Sequence, residues 1–508
     1  MPLSPAPLIP GHSPLPNPGE RPADRRALRV GAIVAIIMLV AVLVPANIFL
    51  TKLVFFTPGL LARASDNGGG AGATAAFQGF IFDWRRRSDG QGGYSTPASL
   101  ANMRSEVRDF HMNTVVIPIY ADMPNPNDSA FYWRESDNYT DLDTLSDNDY
   151  IQAIKDARTA GLEPILELEV REQYKDLKPD ERALYIGDSW YSQPSNQAIY
   201  IGGKPVVIGP LERTWVDNYT AFAVHFAQLA AAQHIRYFII GDGLANLTTD
   251  SPSSVASADP QGLVNTAGDD FDPKKCTGRH ECEWRHIIHA VRAATYTTYS
   301  GKKNQAGGNF HGSLLYAASW APAFGGGGSG PGEFEGIHWW DALSAIGINA
   351  QFPLTQSDVD IAAATLQDAW HNKGTGLSGQ GDIFSRINQV ADKVGKPVIF
   401  TSAGYESTPG ANIGPGVRPP SQYDPNEQLN DMQALLQTFS GNTWWAGVFW
   451  SSDAPLTPRS TQLNWEEGTQ WAGDNMQPYN AASNPHGTKP AGIWLAQNTH
   501  KVPVPMLT

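Results

Sequence analysis

Apolar positions recur along this chain with two alternating periods. Trp215, Tyr219, Phe222, Phe226 and Leu229 repeat at three- and four-residue steps, which predicts a helix with one apolar face. Arg236 to Ile240 then forms a short apolar, aromatic and β-branched run, the pattern of a strand covered on both faces. The run ends at Gly241-Asp242-Gly243, where the backbone can turn and a carboxylate sits at the strand's carboxyl end.

The same alternation continues in both directions. Strands are expected at Phe77–Asp83, Thr114–Tyr120, Pro164–Val170, Ser313–Ala318, Ile346–Phe352, Pro397–Thr401 and Trp445–Trp450. Between them lie helical patterns after Thr96-Pro97, over Ser146–Gly161, over Trp284–Tyr299, around Trp339–Leu343, through Ile383–Val390 and after Asp424-Pro425. Gly202-Gly203 between two apolar runs, Ile199 to Ile208, reads as a hairpin. Strand–helix units in series without an internal hydrophobic boundary predict an α/β fold, a single (β/α)8 TIM barrel over residues 77–500, with a short tail at 501–508.

Ahead of the barrel the pattern changes. Residues 1–29 are Pro-rich and poor in apolar groups, which fits a disordered tail. Arg21, Arg25, Arg26 and Arg29 precede Val30–Leu50, an uncharged apolar run long enough to cross a bilayer. The arginines favour a cytoplasmic amino end, hence an uncleaved transmembrane signal anchor with the barrel outside the cytoplasm. A signal peptide cleaved near Ala46 is the alternative. Residues 51–76, rich in Gly and Ala towards their end, serve as a linker.

Composition narrows the partners. A net charge of -14, from 50 acidic against 36 basic residues, argues against nucleic acid. About half of the 15 Trp fit core packing, and those in polar loops also suit the apolar faces of sugars. The two cysteines, Cys276 and Cys282, share a polar loop, and a disulfide fits an exported domain. A metal site there would need further ligands, for which His280 and His286 are a weak case, so neither metal nor cofactor is expected.

Several segments then carry a resemblance. Trp284-Arg285 with Ala290-Val-Arg292, Leu315–Trp320, Ile346–Thr355, Lys396–Thr401, Gly404-Tyr405, Ala446–Trp450 and Lys489-Pro490-Ala491 occur in the order seen in glycoside hydrolase family 113. The chain resembles that β-mannanase-like branch of the retaining-glycosidase clan from about Phe77 to Ala496. The resemblance implies two carboxyl groups about 5 Å apart, one acid and one nucleophile. It places the acid in an I-G-x-E-L pattern, where this chain has Gly243, and the nucleophile in F-T-E-x-G-Y, where it has Ser402. A Tyr expected near the nucleophile is Gln351 here.

Asp242 and Glu406 are the nearest carboxylates that could replace the missing pair. Strict strand alternation turns Asp242 away from the mouth, unless the turn begins at Gly241. Asp83, Glu167, Glu169 and Asp453 fall at the same barrel face, where carboxylates commonly hold sugar hydroxyls. Trp84, Trp320 and Trp450 end strands and are expected to ring the opening as stacking platforms. A serine hydrolase is disfavoured, because Ser402 lacks a Gly-x-Ser-x-Gly elbow and no His sits near a strand end. The expectation is a membrane-anchored barrel that binds an oligosaccharide or polysaccharide without the usual hydrolysis. An active hydrolase with relocated carboxylates and a cell-surface scaffold are the alternatives.

Overall fold

The computed structural model describes residues 75–83, 93–123, 129–130, 132–133, 145–172, 186, 198–201, 204–207, 210–249, 278–300, 303–321, 331–356, 362–372, 381–415, 424–451 and 489–507. The chain divides into residues 1–67 and 68–508, and every described residue belongs to the second unit. The expected membrane helix Val30–Leu50 lies outside the described residues. Among those described, no helix is long and apolar enough to cross a membrane.

Eight parallel strands close into a barrel. They are β1 (Phe77–Ile81), β2 (Thr114–Met123), β3 (Glu163–Glu172), β6 (Tyr237–Asp242), β9 (Ser313–Ser319), β10 (Ile346–Asn349), β11 (Val398–Ala403) and β12 (Trp445–Trp450). β1 completes the ring by pairing with both β12 and β2. Two antiparallel hairpins stand apart from the barrel, β4 (Ala198–Ile201) with β5 (Lys204–Val207), and β7 (Thr295–Ser300) with β8 (Lys303–Asn309).

Side-chain alternation sorts the apolar residues into two layers. Phe77, Val116, Ile165, Tyr237, Ile239, Leu315, Ile399 and Phe449 fill the barrel interior. Their neighbours along the strands face the surrounding helices, where Phe80, Leu166, Phe238, Ile240, Leu314 and Phe400 meet Phe222, Phe226, Ile287, Leu435 and Phe439. At roughly 25 cal/mol per Å² of apolar surface removed from water, two such layers supply the main favourable term of folding.

Helices start and stop where local chemistry demands. The helix Asp147–Ala160 opens where the Ser146 N–H and hydroxyl both donate to the Asp149 carboxylate, and it ends at Gly161, whose φ of 84° suits glycine. Pro425–Phe439 opens on Asp424, which accepts hydrogen bonds from the backbone N–H groups of Asn426 and Glu427.

The sequence expectation fails in three places. The helix expected over Trp284–Tyr299 runs instead over Arg279–Ala293, and Thr295–Ser300 is the first strand of the second hairpin. Its threonines and tyrosines favour extended backbone once the apolar period stops at Val291. The strand expected to reach Phe352 ends at Asn349. The turn at Trp340–Ala342 is a single 3-10 turn. Residues 501–507 pack against the barrel: Val504 and Leu507 touch the interior core, and the carbonyls of Val502 and Leu507 accept from Asn113 and Ser313.

Candidate active site at the barrel mouth

The site is built from two irregular strand ends. β6 pairs with β9 through Ile239↔Leu315 and then Asp242↔Ala317, so three residue steps on β6 face two on β9. That is a β-bulge. Ile240 belongs to the helix-side core, and a β-carbon on Gly241 would point at Tyr219, Trp284 and Tyr316 of that same layer. Two consecutive residues therefore face outward, and Asp242 is carried round to the inside. The alternation rule, which turned Asp242 away from the mouth, is corrected by this bulge.

β11 has a similar break. Ile348↔Phe400 is followed by Asn349↔Ser402, and Phe400↔Val448 by Ala403↔Trp450. The extra residue lies at Thr401-Ser402. The two positions where the resemblance expects acids thus adjoin the two bulges, with Gly243 just beyond one and Ser402 within the other.

Between these ends runs a polar chain. Thr401 Oγ1 donates to Asn349 Oδ1 at 3.0 Å, and Asn349 Nδ2 donates to Asp242 Oδ1. Asp242, Gly243, Leu244, Ala245 and Asn246 line a pocket of about 330 Å³ together with Val170 and Ile186. Burial raises the Asp242 carboxyl to about 6, against the opposing pull of the Asn349 hydrogen bond. Glu167 points inward from β3, where it pairs with Ile239 of β6, and is 2% exposed. Burial also raises its carboxyl, and the charges of Asp242 and then Glu169 add to that shift. Two adjacent strands thus bring two carboxyl groups into mutual repulsion, and both resist ionising.

A third carboxyl group braces the pocket from outside. Glu333 accepts from Tyr316 Oη at 2.7 Å, Thr248 Oγ1 at 2.5 Å and the Ser319 backbone N–H at 2.6 Å. Burial raises it to about 7 despite these three donors. Tyr316 Oη in turn accepts from the Leu244 N–H at 2.8 Å. The loop after Asp242 is thereby tied to β9. Sequence reasoning missed Glu333 because it follows a Gly-rich segment with no periodic neighbours to mark it. It also passed over Asn349, although that residue lies within a quoted motif.

The other expected site residues divide. Asp83 stands just past β1, and Glu169 lies two residues beyond Glu167 on the inward-facing side of β3; both are half-buried. Gln351 and Trp320 are half-buried just beyond β10 and β9, and Trp320 packs 5.9 Å from the Phe352 ring centre. Glu406 is buried and its charge bears on Asp431 of the helix Pro425–Phe439, so it belongs to an acidic group beside that helix. Trp450 is only 2% exposed and joins the helix-side core, which corrects the expectation of an open stacking face. The register explains this, since Phe449 takes the inward position on β12. Cys282 is disulfide-bonded. Cys276, Trp84 and Asp453 lie outside the described residues.

Comparisons with known proteins agree on the fold. The family model described as Glycoside Hydrolase Family 113 matches residues 327–464, a segment that includes Asn349, Ser402 and Trp450. A solved structure described as that of a GH113 beta-1,4-mannanase is 16% identical, with a TM-score of 0.53, over 84% of this chain and 98% of the other. A complex structure of a GH113 beta-1,4-mannanase is also 16% identical, with a TM-score of 0.51, over 83% and 97%. No curated protein matches. The chain resembles glycoside hydrolase family 113, and its barrel has the fold of those mannanases.

Proposed function

We propose that this barrel binds a β-linked glycan of the mannan type in the mouth around Asp242 and Glu167, and that the retaining hydrolysis of its relatives is lost. The observation that carries the reading is the bulge that aims Asp242 into a pocket whose neighbouring family positions are Gly243 and Ser402. Neither a glycine nor a serine supplies an acidic proton or a stable carboxylate nucleophile at neutral pH. Loss of the acid alone removes a factor of roughly 100 to 10,000 in rate. What remains, carboxylates and amides in a polar pocket with Trp320 nearby, suits sugar hydroxyls and one apolar sugar face.

Hydrolysis by relocated carboxylates is the second reading, and one observation favours it. Burial raises the Asp242 carboxyl to about 6, and Asp242 stands close enough to Glu167 for its charge to raise that carboxyl as well. An acid beside a second carboxyl group is the minimum a glycosidase needs. We also propose that Val30–Leu50 anchors the chain in a membrane with the barrel on the extracytoplasmic side.

Calorimetric titration of the purified full chain with a β-1,4-manno-oligosaccharide tests the main reading. Saturable binding at micromolar to millimolar concentration, weakened by Glu167→Gln, is the expected result. Absence of binding to manno- and gluco-oligosaccharides alike would leave the scaffold reading.

A further inference from the structure

Away from the mouth, three buried side chains converge at the amino ends of two helices. Glu212 lies in the first turn of Pro210–Ala232, and His280 and Glu283 lie in the first turn and a half of Arg279–Ala293. Their exposures are 1%, 2% and 2%. One ligand atom from each lies within 4.8 Å of the other two. His280 Nε2 is 3.3 Å from Glu212 Oε1. A tetrahedral ion with bonds of about 2.0 Å holds its ligands about 3.3 Å apart, the spacing that His280 and Glu212 already have.

The imidazole is already oriented for such a role. His280 Nδ1 lies 2.8 Å from the Thr249 carbonyl oxygen, which can only accept, so Nδ1 carries a proton. That bond turns Nε2 towards the two carboxylates. A ligating histidine typically shows this arrangement, with its second nitrogen donating to a backbone carbonyl. From sequence, His280 had been paired with His286 and the cysteines; the fold supplies carboxylates in their place.

We propose that Glu212, His280 and Glu283 hold a divalent cation of the zinc class, a mixed nitrogen and oxygen set that such ions accept. The ion would fasten the start of both helices to Thr249, just past the segment Ala245–Thr248, whose first two residues line the mouth pocket. Trp284, next to Glu283, already holds this segment through Nε1 donating to the Leu247 carbonyl at 2.7 Å. The role is structural, steadying the pocket wall three residues past Asp242.

The test uses the purified full chain, stripped with a chelator and titrated with Zn²⁺. One Zn²⁺ per chain should be retained after dialysis. Tm should rise by roughly 3–5 °C at a hundredfold excess over Kd. Co²⁺ in place of Zn²⁺ should give the visible bands of a low-symmetry site. Glu283→Gln should fold, with a metal-free Tm no lower than the metal-free parent, and lose both retention and the Tm rise. Failure of the unsubstituted chain to retain metal, or a metal-dependent Tm rise that survives in Glu283→Gln, overturns the proposal. Either outcome would leave His280 as an ion-pair partner of Glu212.

Discussion

A β-carbon on Gly241 would lie 2.7 Å from the hydroxyl oxygen of Tyr219, the same hydroxyl that donates to the Ile240 carbonyl at 2.7 Å. Trp284 and Tyr316 would each be 2.9 Å away. The β6 bulge therefore depends on a residue with no side chain, held down by a tyrosine from the neighbouring helix. Gly241→Ala should cost about 1–3 kcal/mol through overpacking. It should also release Asp242 from the mouth. Denaturant unfolding would measure the first effect, and glycan affinity the second. A variant as stable as the parent and binding normally would mean that the bulge does not depend on Gly241.

Asp242 itself should be a stability defect at neutral pH. Its carboxyl is raised from 3.8 to about 6 in the folded chain, so the native state keeps a proton that the unfolded chain releases. Its favourable contribution is complete below about pH 4 and lost as pH rises to about 6. At 1.36 kcal/mol per pKa unit the loss is of the order of 3 kcal/mol, lessened by the partial exposure of Asp242. Asp242→Asn keeps an acceptor for Asn349 and removes the charge that also raises Glu167 and Glu333. It should be more stable than the parent by about 1–2 kcal/mol above pH 7 and indistinguishable from it near pH 4. Equal pH profiles for the two chains would contradict the burial assigned to this group.

Much of the fold was legible because period-two and period-3.6 patterns report which face is buried, and here they are clean. Phe222 and Phe226 mark their helix, and Val116, Ile165 and Ile239 mark the barrel interior. The site was less legible. A bulge has no sequence signature beyond a glycine, so the direction of Asp242 had to come from the register of β6 on β9. Trp450 ends its strand as expected, yet its inward neighbour is Phe449. Glu333, Glu212 and Glu283 act through tertiary partners far along the chain, and no local period identifies them.

The aromatic contribution to binding should rest on Trp320 more than on Trp450. Trp320 is half-buried beside the mouth, whereas Trp450 is sealed in the helix-side core. Trp320→Ala should weaken oligosaccharide binding several-fold, in line with about 1 kcal/mol for one stacked sugar. Trp450→Ala should lower stability by about 3–5 kcal/mol, as large core truncations do. The opposite assignment of the two effects in titrations and melting curves would refute this division.

Topology can be read on intact cells. With Arg21, Arg25, Arg26 and Arg29 ahead of Val30–Leu50, the amino end should stay in the cytoplasm. Protease added outside should digest the barrel and leave a short membrane-bound fragment. Complete protection, or a mature amino terminus near Asn47, would rule out the anchor.

Binding without turnover is tested most directly by measuring both on one preparation of the purified full chain. Manno-oligosaccharide is titrated by calorimetry, and reducing ends are followed in the same sample over a prolonged incubation. Saturable heat with reducing ends at background is the result the proposed function predicts, since it takes Gly243 and Ser402 as standing where the resemblance expects acids. Release of reducing ends that survives purification and disappears in Asp242→Asn or Glu167→Gln would contradict it and establish hydrolysis by relocated carboxylates.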